Sequence, residues 1–140
     1  TDFLFRTARD VTMVGLDVTL QTLLTTAETR QWRWLGTRAG RVYADMLDYY
    51  IRAYAAIEPD LGGCGLHDPL AVAVAADPSL VTCFDTNLAC ETTGTTPGRT
   101  IGDVARMQEL HKAAHVAVDV DAPRFVAELM DKLDSLLQQH

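Results

Sequence analysis

The 140-residue chain is poor in cysteine, lacks any excess of basic side chains, and has no apolar run long enough to cross a membrane. Its three cysteines, Cys64, Cys83 and Cys90, are odd in number and not closely paired, which excludes a disulfide framework. Free thiols imply a reducing compartment, and the cytoplasm is the expected location. Cys83 and Cys90 fall in a strand-like stretch and are expected to be buried as small hydrophobes. Lys and Arg number 12 against 19 Asp and Glu, for a net charge of −7. No basic cluster is available to meet phosphates, so neither nucleic acid nor an anionic membrane surface is an expected partner. The opening Thr1-Asp2-Phe3-Leu4-Phe5-Arg6 has no basic start and no cleavage pattern, so no secretory leader is expected. Gly62-Gly63-Cys64-Gly65 matches neither GxGxxG nor GxxxxGK(S/T), and ELHKAAH (109–115) is not HExxH. No Ser–His–Asp arrangement or dense carboxylate cluster stands out.

What is present is an alternation of strand-like and helix-like segments, 48% hydrophobic and 22% charged, of a length that can bury a core. Residues 2–8 read as a helix end. Residues 11–19 (VTMVGLDVT) read as a strand buried on both faces, and 20–30 as a helix on Leu20, Leu23, Leu24 and Ala27. The clearest helix spans 37–57, where Tyr43, Leu47, Tyr50, Tyr54 and Ile57 repeat at steps of four and three before Pro59 ends it. A glycine-rich loop (60–66) leads into a helix over 68–76, stopped by Asp77-Pro78. Residues 80–91 read as one strand, or two broken near Asp85-Thr86-Asn87. Residues 92–98 are a turn into a hairpin, and 103–111 a short helix or irregular connection. Residues 115–121 are a strand with Val116, Val118 and Val120 alternating, and 123–138 a final amphipathic helix. Strands alternating with helices define an α/β layered domain.

Three groups of residues could carry chemistry. His67 and Asp68 stand side by side where the glycine loop meets the next helix. A carboxylate is a hard donor for Ca²⁺ or Mg²⁺, and an imidazole can move a proton near neutral pH. The competing reading makes Asp68 the N-cap of a helix with Pro69 in its first turn, and His67 an exposed loop residue. Tyr50 and Tyr54, with Tyr49 beside them, could stack on a planar ligand or simply be core residues of their helix. His111 and His115, four apart, could share a face as zinc ligands with Cys64, but His115 starts a strand, which breaks that face.

Taken in order, four segments resemble the C-terminal part of the inosine–uridine preferring nucleoside hydrolase family. They are VTMVGLDVT (11–19), GLHDPLAVAVAADPSL (65–80) with its His-Asp-Pro-Leu-Ala motif, CETTGTTPGRTIGD (90–103) with Cys90 in place of Val, and VAVDVDAPRFVAELMDKL (116–133). Nearly all 140 residues are covered. The resemblance implies an α/β fold, the C-terminal portion of that family's layers with a mostly parallel, mixed sheet, and residues 1–140 as a single domain or fragment. It implies hydrolysis of the N-glycosidic bond of purine or pyrimidine ribonucleosides to ribose and free base, with Ca²⁺ holding the ribose diols and the attacking water. By position, Asp68 would be a Ca²⁺ ligand, His67 would assist the leaving base, and Tyr50 and Tyr54 would close the base pocket. The family's DxDxxxDD cluster, which supplies most Ca²⁺ ligands and the general base, is not found in these residues. The chain is therefore expected to be a fragment, inactive alone, whose partners are the N-terminal half of the fold, a nucleoside, and a second copy covering exposed strand edges. A non-catalytic binding or scaffold module derived from the same fold is the alternative.

Overall fold

The computed structural model describes residues 1–139, which form two compact units. The first unit joins Thr1–Gly15 to Val81–Val120. Helix α1 (Asp2–Thr7) leads to strand β1 (Val11–Met13). Later segments add β4 (Val81–Thr86), β5 (Leu88–Cys90), β6 (Thr100–Gly102), a 3₁₀ turn (Val104–Arg106) and β7 (Ala114–Val120). The sheet order is β1-β7-β4, with β1 parallel and β4 antiparallel to β7, so the sheet is mixed. Asn87 breaks the 80–91 run into two strands, and β5 pairs with β6 across the turn. Phe5, Leu88 and Ala114 form a core cluster under Val11, Met13 and Val116.

Two expectations fail in this unit. The alternation of Val116, Val118 and Val120 does not hold, because β7 carries a bulge. Thr82 pairs with Asp119 and Cys83 with Ala117, so Val118 is the extra residue and lies half exposed. Cys83 is exposed rather than buried, because β4 is an edge strand and residues 82–85 lie open to solvent. The three cysteines are free.

Asn87 is fully buried and ties the irregular 103–113 connection together. Its Nδ2 donates to the Arg106 carbonyl (3.0 Å) and to Glu109 (3.2 Å), while its Oδ1 accepts from the Ala113 N–H (2.9 Å). A side-chain amide replaces the backbone ladder that this segment lacks.

The second unit contains Leu16–Leu80 and the C-terminal helix. It holds α2 (Leu16–Thr19), β2 (Leu23–Leu24), α3 (Thr26–Trp34), α4 (Arg38–Ile57), β3 (Cys64–Gly65), α5 (His67–Ala76), a 3₁₀ turn (Pro78–Leu80) and α6 (Ala122–Leu137). The expected strand over 11–19 ends at Met13. Beyond Gly15 the chain makes one helical turn, with Asp17 in that turn favouring its amino end. The expected helix over 20–30 starts late, at Thr26. Thr25 and Glu28 form a capping box there, a Thr-x-x-Glu signal legible in the sequence. Leu23 and Leu24 instead pair antiparallel with Gly65 and Cys64.

Helix α4 runs as expected, capped by Thr37 and stopped before Pro59. The buried side is Gly40, Ala44 and Ile51, not the tyrosine stripe. Tyr50 is 43% exposed and Ile57 79% exposed. Small residues face α3, with the Trp32 carbonyl only 2.5 Å from where a Cβ on Gly40 would stand. Between the same helices, Asp48 accepts from the Thr29 hydroxyl (2.6 Å) and pairs with Arg33. Trp32 donates to Asp134 of α6 (2.9 Å) and the Thr37 hydroxyl to the Leu137 carbonyl (2.8 Å). Among the described residues, no helix is long and apolar enough to cross a membrane.

Asn87→Ala leaves buried backbone groups without partners. It is expected to cost about 3 kcal/mol of stability, measured by urea denaturation. Burial pushes the Asp48 carboxyl up, but hydrogen bonds from Thr29 and Arg33 outweigh it and hold the group below the ordinary carboxylate range. That contribution is present at neutral pH and is lost as pH falls through the lowered value. Asp48→Asn is therefore expected to be destabilising near neutrality, with the gap to wild type closing in acid. A gap that stays constant in denaturation curves across pH would show that the ionised carboxylate contributes nothing.

Candidate functional site

The site is assembled where two distant segments of the second unit meet. The two-residue pairing of β2 with β3 is extended by the Leu66 N–H donating to the Thr22 carbonyl (2.9 Å). It brings the end of α2 beside the first turn of α5. His67 opens α5 and is half-buried. Its Nε2 lies 2.6 Å from the Tyr54 hydroxyl and its Nδ1 2.7 Å from the Thr19 hydroxyl. Both ring nitrogens are thus engaged, by α4 on one side and α2 on the other.

Gly65 makes room for the ring. A Cβ on it would stand 2.7 Å from Cε1 and 2.8 Å from Nε2 of His67, inside any real contact distance. Tyr54 is half-buried, and Tyr50, one helical turn earlier, meets it edge to face at 5.0 Å. The Tyr50 phenol, and burial after it, push the Tyr54 hydroxyl up to about 12, so the phenol keeps its proton at neutral pH.

Tyr54 and His67 line a mostly apolar recess of about 430 Å³ together with Leu16, Leu20, Tyr50 and Ile57, and Glu58 also reaches its wall. A second recess of about 340 Å³ contains Asp68, together with Tyr50, Cys64, Gly65 and His67. His67 and Tyr50 line both recesses, whereas Asp68 lines the second and also a third, of about 440 Å³, against Val72, Phe125 and Leu129. A mostly apolar slot with an aromatic wall and a few polar groups suits a planar heterocycle.

Asp68 is not the helix cap. Leu66 occupies that position without a side-chain bond, and Asp68 sits in the first turn, exposed. Among the described residues its carboxylate has no hydrogen-bond partner, so capping does not account for it. Nor is it a metal site by itself: among the described residues no three His, Cys, Asp or Glu side chains gather as a metal would require. Ca²⁺ takes six to eight oxygens, so the residues present do not fit the ion without ligands from elsewhere. The zinc alternative fails on the same ground. His115 lies in β7, with Nδ1 2.6 Å from Asp85, and this pairing raises its pKa; His111 lies in the exposed connection before that strand.

The sequence singles out His67, Asp68, Tyr50 and Tyr54, and the structure brings all four around the two recesses. The sequence does not single out Thr19 or Gly65 as site residues, because Thr19 falls in a segment that reads as a strand, where its hydroxyl has no evident partner.

The chain belongs to the inosine-uridine preferring nucleoside hydrolase family, whose model matches residues 1–127. It is 32% identical over 133 residues to an inosine-uridine preferring nucleoside hydrolase of Crithidia fasciculata, covering 94% of this chain and 42% of the relative. It is 31% identical to a pyrimidine-specific ribonucleoside hydrolase of Shigella boydii, covering 94% and 43%. Among solved structures, a purine-preferring ribonucleoside hydrolase from Gardnerella vaginalis superposes with a TM-score of 0.96 at 57% identity, covering 99% of this chain and 44% of that one. The chain therefore spans less than half the length of these relatives.

Gly65→Ala is expected to cost about 1–3 kcal/mol, the usual range for forcing extra volume into a packed site. The three atoms nearest the added methyl all belong to the His67 ring. In a His67→Ala background the same change should cost little, and an undiminished cost in that double-mutant cycle would show that the glycine serves the backbone instead.

Proposed function

We propose that this chain is the leaving-group side of a ribonucleoside hydrolase, which cleaves the N-glycosidic bond of purine or pyrimidine nucleosides to ribose and free base. The observation that carries the proposal is the His67 imidazole, held by two hydroxyls and lining both a mostly apolar, aromatic-walled recess and the recess that contains Asp68. The apolar recess would take the base, with Tyr50 and Tyr54 against its faces. The recess with Asp68 would take the ribose and, with ligands from outside this chain, Ca²⁺. The glycosidic bond would then lie beside His67, which assists departure of the base as charge builds on it in an oxocarbenium-like transition state.

Base departure and activation of water need different machinery. A proton donor serves the first; the second needs several carboxylates, and Asp68 is one. The proposal therefore includes inactivity of the 140 residues alone and a partner: the amino-terminal part of a nucleoside hydrolase fold, consistent with relatives more than twice as long. A nucleoside-salvage role in the cytoplasm agrees with the free thiols. Self-association of the isolated chain is supported by large apolar side chains in the open, such as Trp34 at 90% exposure.

The test is ribose release from inosine and uridine. The chain alone is expected to release none. Fused to the amino-terminal part of the Gardnerella relative, it is expected to hydrolyse nucleosides, and a calcium chelator to stop it. His67→Ala in the fusion is expected to lower kcat by about 10²–10⁴-fold, the usual weight of general acid catalysis. A folded fusion that binds nucleosides but releases no ribose would favour the scaffold reading.

A further inference from the structure

We propose that Glu58 sets the base preference of this site: its carboxylate accepts from the far edge of the base and selects purines that present N–H donors there, guanosine first, inosine next and adenosine last. The inference deepens the reading of the mostly apolar recess as the base site and rests on it.

Tyr50, Tyr54 and Glu58 follow one another along α4 at steps of four, and all three line that recess. Leu47 and Tyr50 line the recess that contains Asp68, which fixes a direction along the helix. The ribose end lies toward Leu47, and the far end of the base recess lies toward Ile57 and Glu58. From Tyr50 to Glu58 the helix rises about 12 Å. A base with its glycosidic nitrogen beside His67 and its ring against the two tyrosines therefore points its far edge at Glu58. In a purine that edge carries N1 and the groups on either side of it; a single-ring base stops short of it.

Glu58 has no structural task that accounts for its carboxylate. It caps the carboxyl end of α4 through its backbone, donating its N–H to the Tyr54 carbonyl (2.7 Å) and accepting from the Leu61 N–H (3.1 Å), bonds that any residue with a backbone N–H makes. The side chain is exposed and, among the described residues, has no hydrogen-bond or ion-pair partner. A negative charge is also unfavourable at this end of a helix, where the macrodipole is itself negative. Within the recess, Tyr54 and His67 engage each other, and Leu16, Leu20 and Ile57 carry no polar side-chain atom. Glu58 is the one carboxylate that meets the base recess.

An ionised carboxylate accepts hydrogen bonds and donates none. Guanosine presents N1–H and its 2-amino group side by side, two donors that match the two carboxylate oxygens. Inosine presents N1–H alone. Adenosine presents a lone pair at N1, which the carboxylate repels, beside its 6-amino donor. Bonds to an ionised acceptor are stronger than neutral ones, so the preference follows the donors each edge offers.

The test is the ratio of kcat/KM for guanosine over adenosine in the fusion described above. It is expected to be about 10–100, the usual weight of one bidentate contact against the wrong base, with inosine between the two. Glu58→Gln, which loses no folded-state partner and can donate to N1 of adenosine, is expected to bring the ratio near unity. Asp60→Asn removes an exposed charge two residues on, outside the recess, and is expected to leave the ratio as in wild type. The intact 140-residue chain gives a second readout, nucleoside binding by saturation-transfer NMR, in which guanosine is expected to displace adenosine from wild type but not from Glu58→Gln. A wild type without guanosine preference in either assay overturns the proposal. So does a folded Glu58→Gln with an unchanged ratio, or an Asp60→Asn that shifts it as far, since a general field and not a contact would then be acting. A fusion that releases no ribose, while the chain still prefers guanosine through Glu58, would overturn the hydrolase reading and leave the role of Glu58 standing.

Discussion

The candidate site depends on one short backbone pairing. Leu23 and Leu24 pair with Gly65 and Cys64, and the Thr22 carbonyl accepts from Leu66. This joins residues that lie 48 apart, Thr19 and His67, at hydrogen-bonding distance. Few bonds are involved, yet their surroundings protect them. Thr22, Leu24 and Cys64 are essentially inaccessible, and a Cβ on Gly63 would meet the Leu24 carbonyl at 2.6 Å. A pairing so enclosed cannot exchange its bonds for water without opening the packing around it. Its register fixes how far the end of α2 stands from the start of α5, and with it the reach of the Thr19 hydroxyl.

The glycine-rich loop acquires its meaning from this pairing. In the sequence, Gly62-Gly63-Cys64-Gly65 offers only flexibility. In the fold, Gly63 and Gly65 are the positions where a side chain would strike something specific, the Leu24 carbonyl for one and the His67 ring for the other. Both requirements are steric and depend on residues far away in sequence. The composition of the loop announces a turn; the identity of what presses against it does not appear there.

Much of the architecture was legible because its signals are local. The long α4 ends where Pro59 requires, the run over 80–91 breaks at Asn87, and α6 begins on Asp121 with Pro123 in its first turn. The misreadings share a cause as well. VTMVGLDVT reads as one strand by composition, but Gly15 lets the chain turn, and burial of Val18 and Thr19 stabilises a single helical turn that no periodicity could signal. Leu20, Leu23 and Leu24 have helical spacing, yet tertiary pairing with β3 claims two of them. On α4 the tyrosine stripe has the spacing of a core face, but close packing against α3 selects the small residues Gly40 and Ala44 instead. Tyr50 and Tyr54 are thereby turned toward the recesses, so the misjudged core face is the wall of the candidate site.

The same packing separates two chemical tasks. Every group that fixes the His67 ring comes from the second unit itself: a threonine on α2, a tyrosine on α4 and a glycine in β3. That side of the site is complete without help, since hydroxyls and backbone suffice to orient an imidazole. Cation binding obeys a different arithmetic, because a hard divalent ion needs many oxygens at once, and the exposed, unpartnered Asp68 supplies one carboxylate. Within this chain the orientation of the His67 ring is preorganised, while a cation would need oxygen ligands beyond Asp68. The Asp68 carboxylate is exposed in the first turn of α5 and does not serve as its cap. The fold thus places an imidazole fixed by two hydroxyls next to an exposed, unpartnered carboxylate, and the His67-Asp68 dipeptide keeps the two in fixed relation.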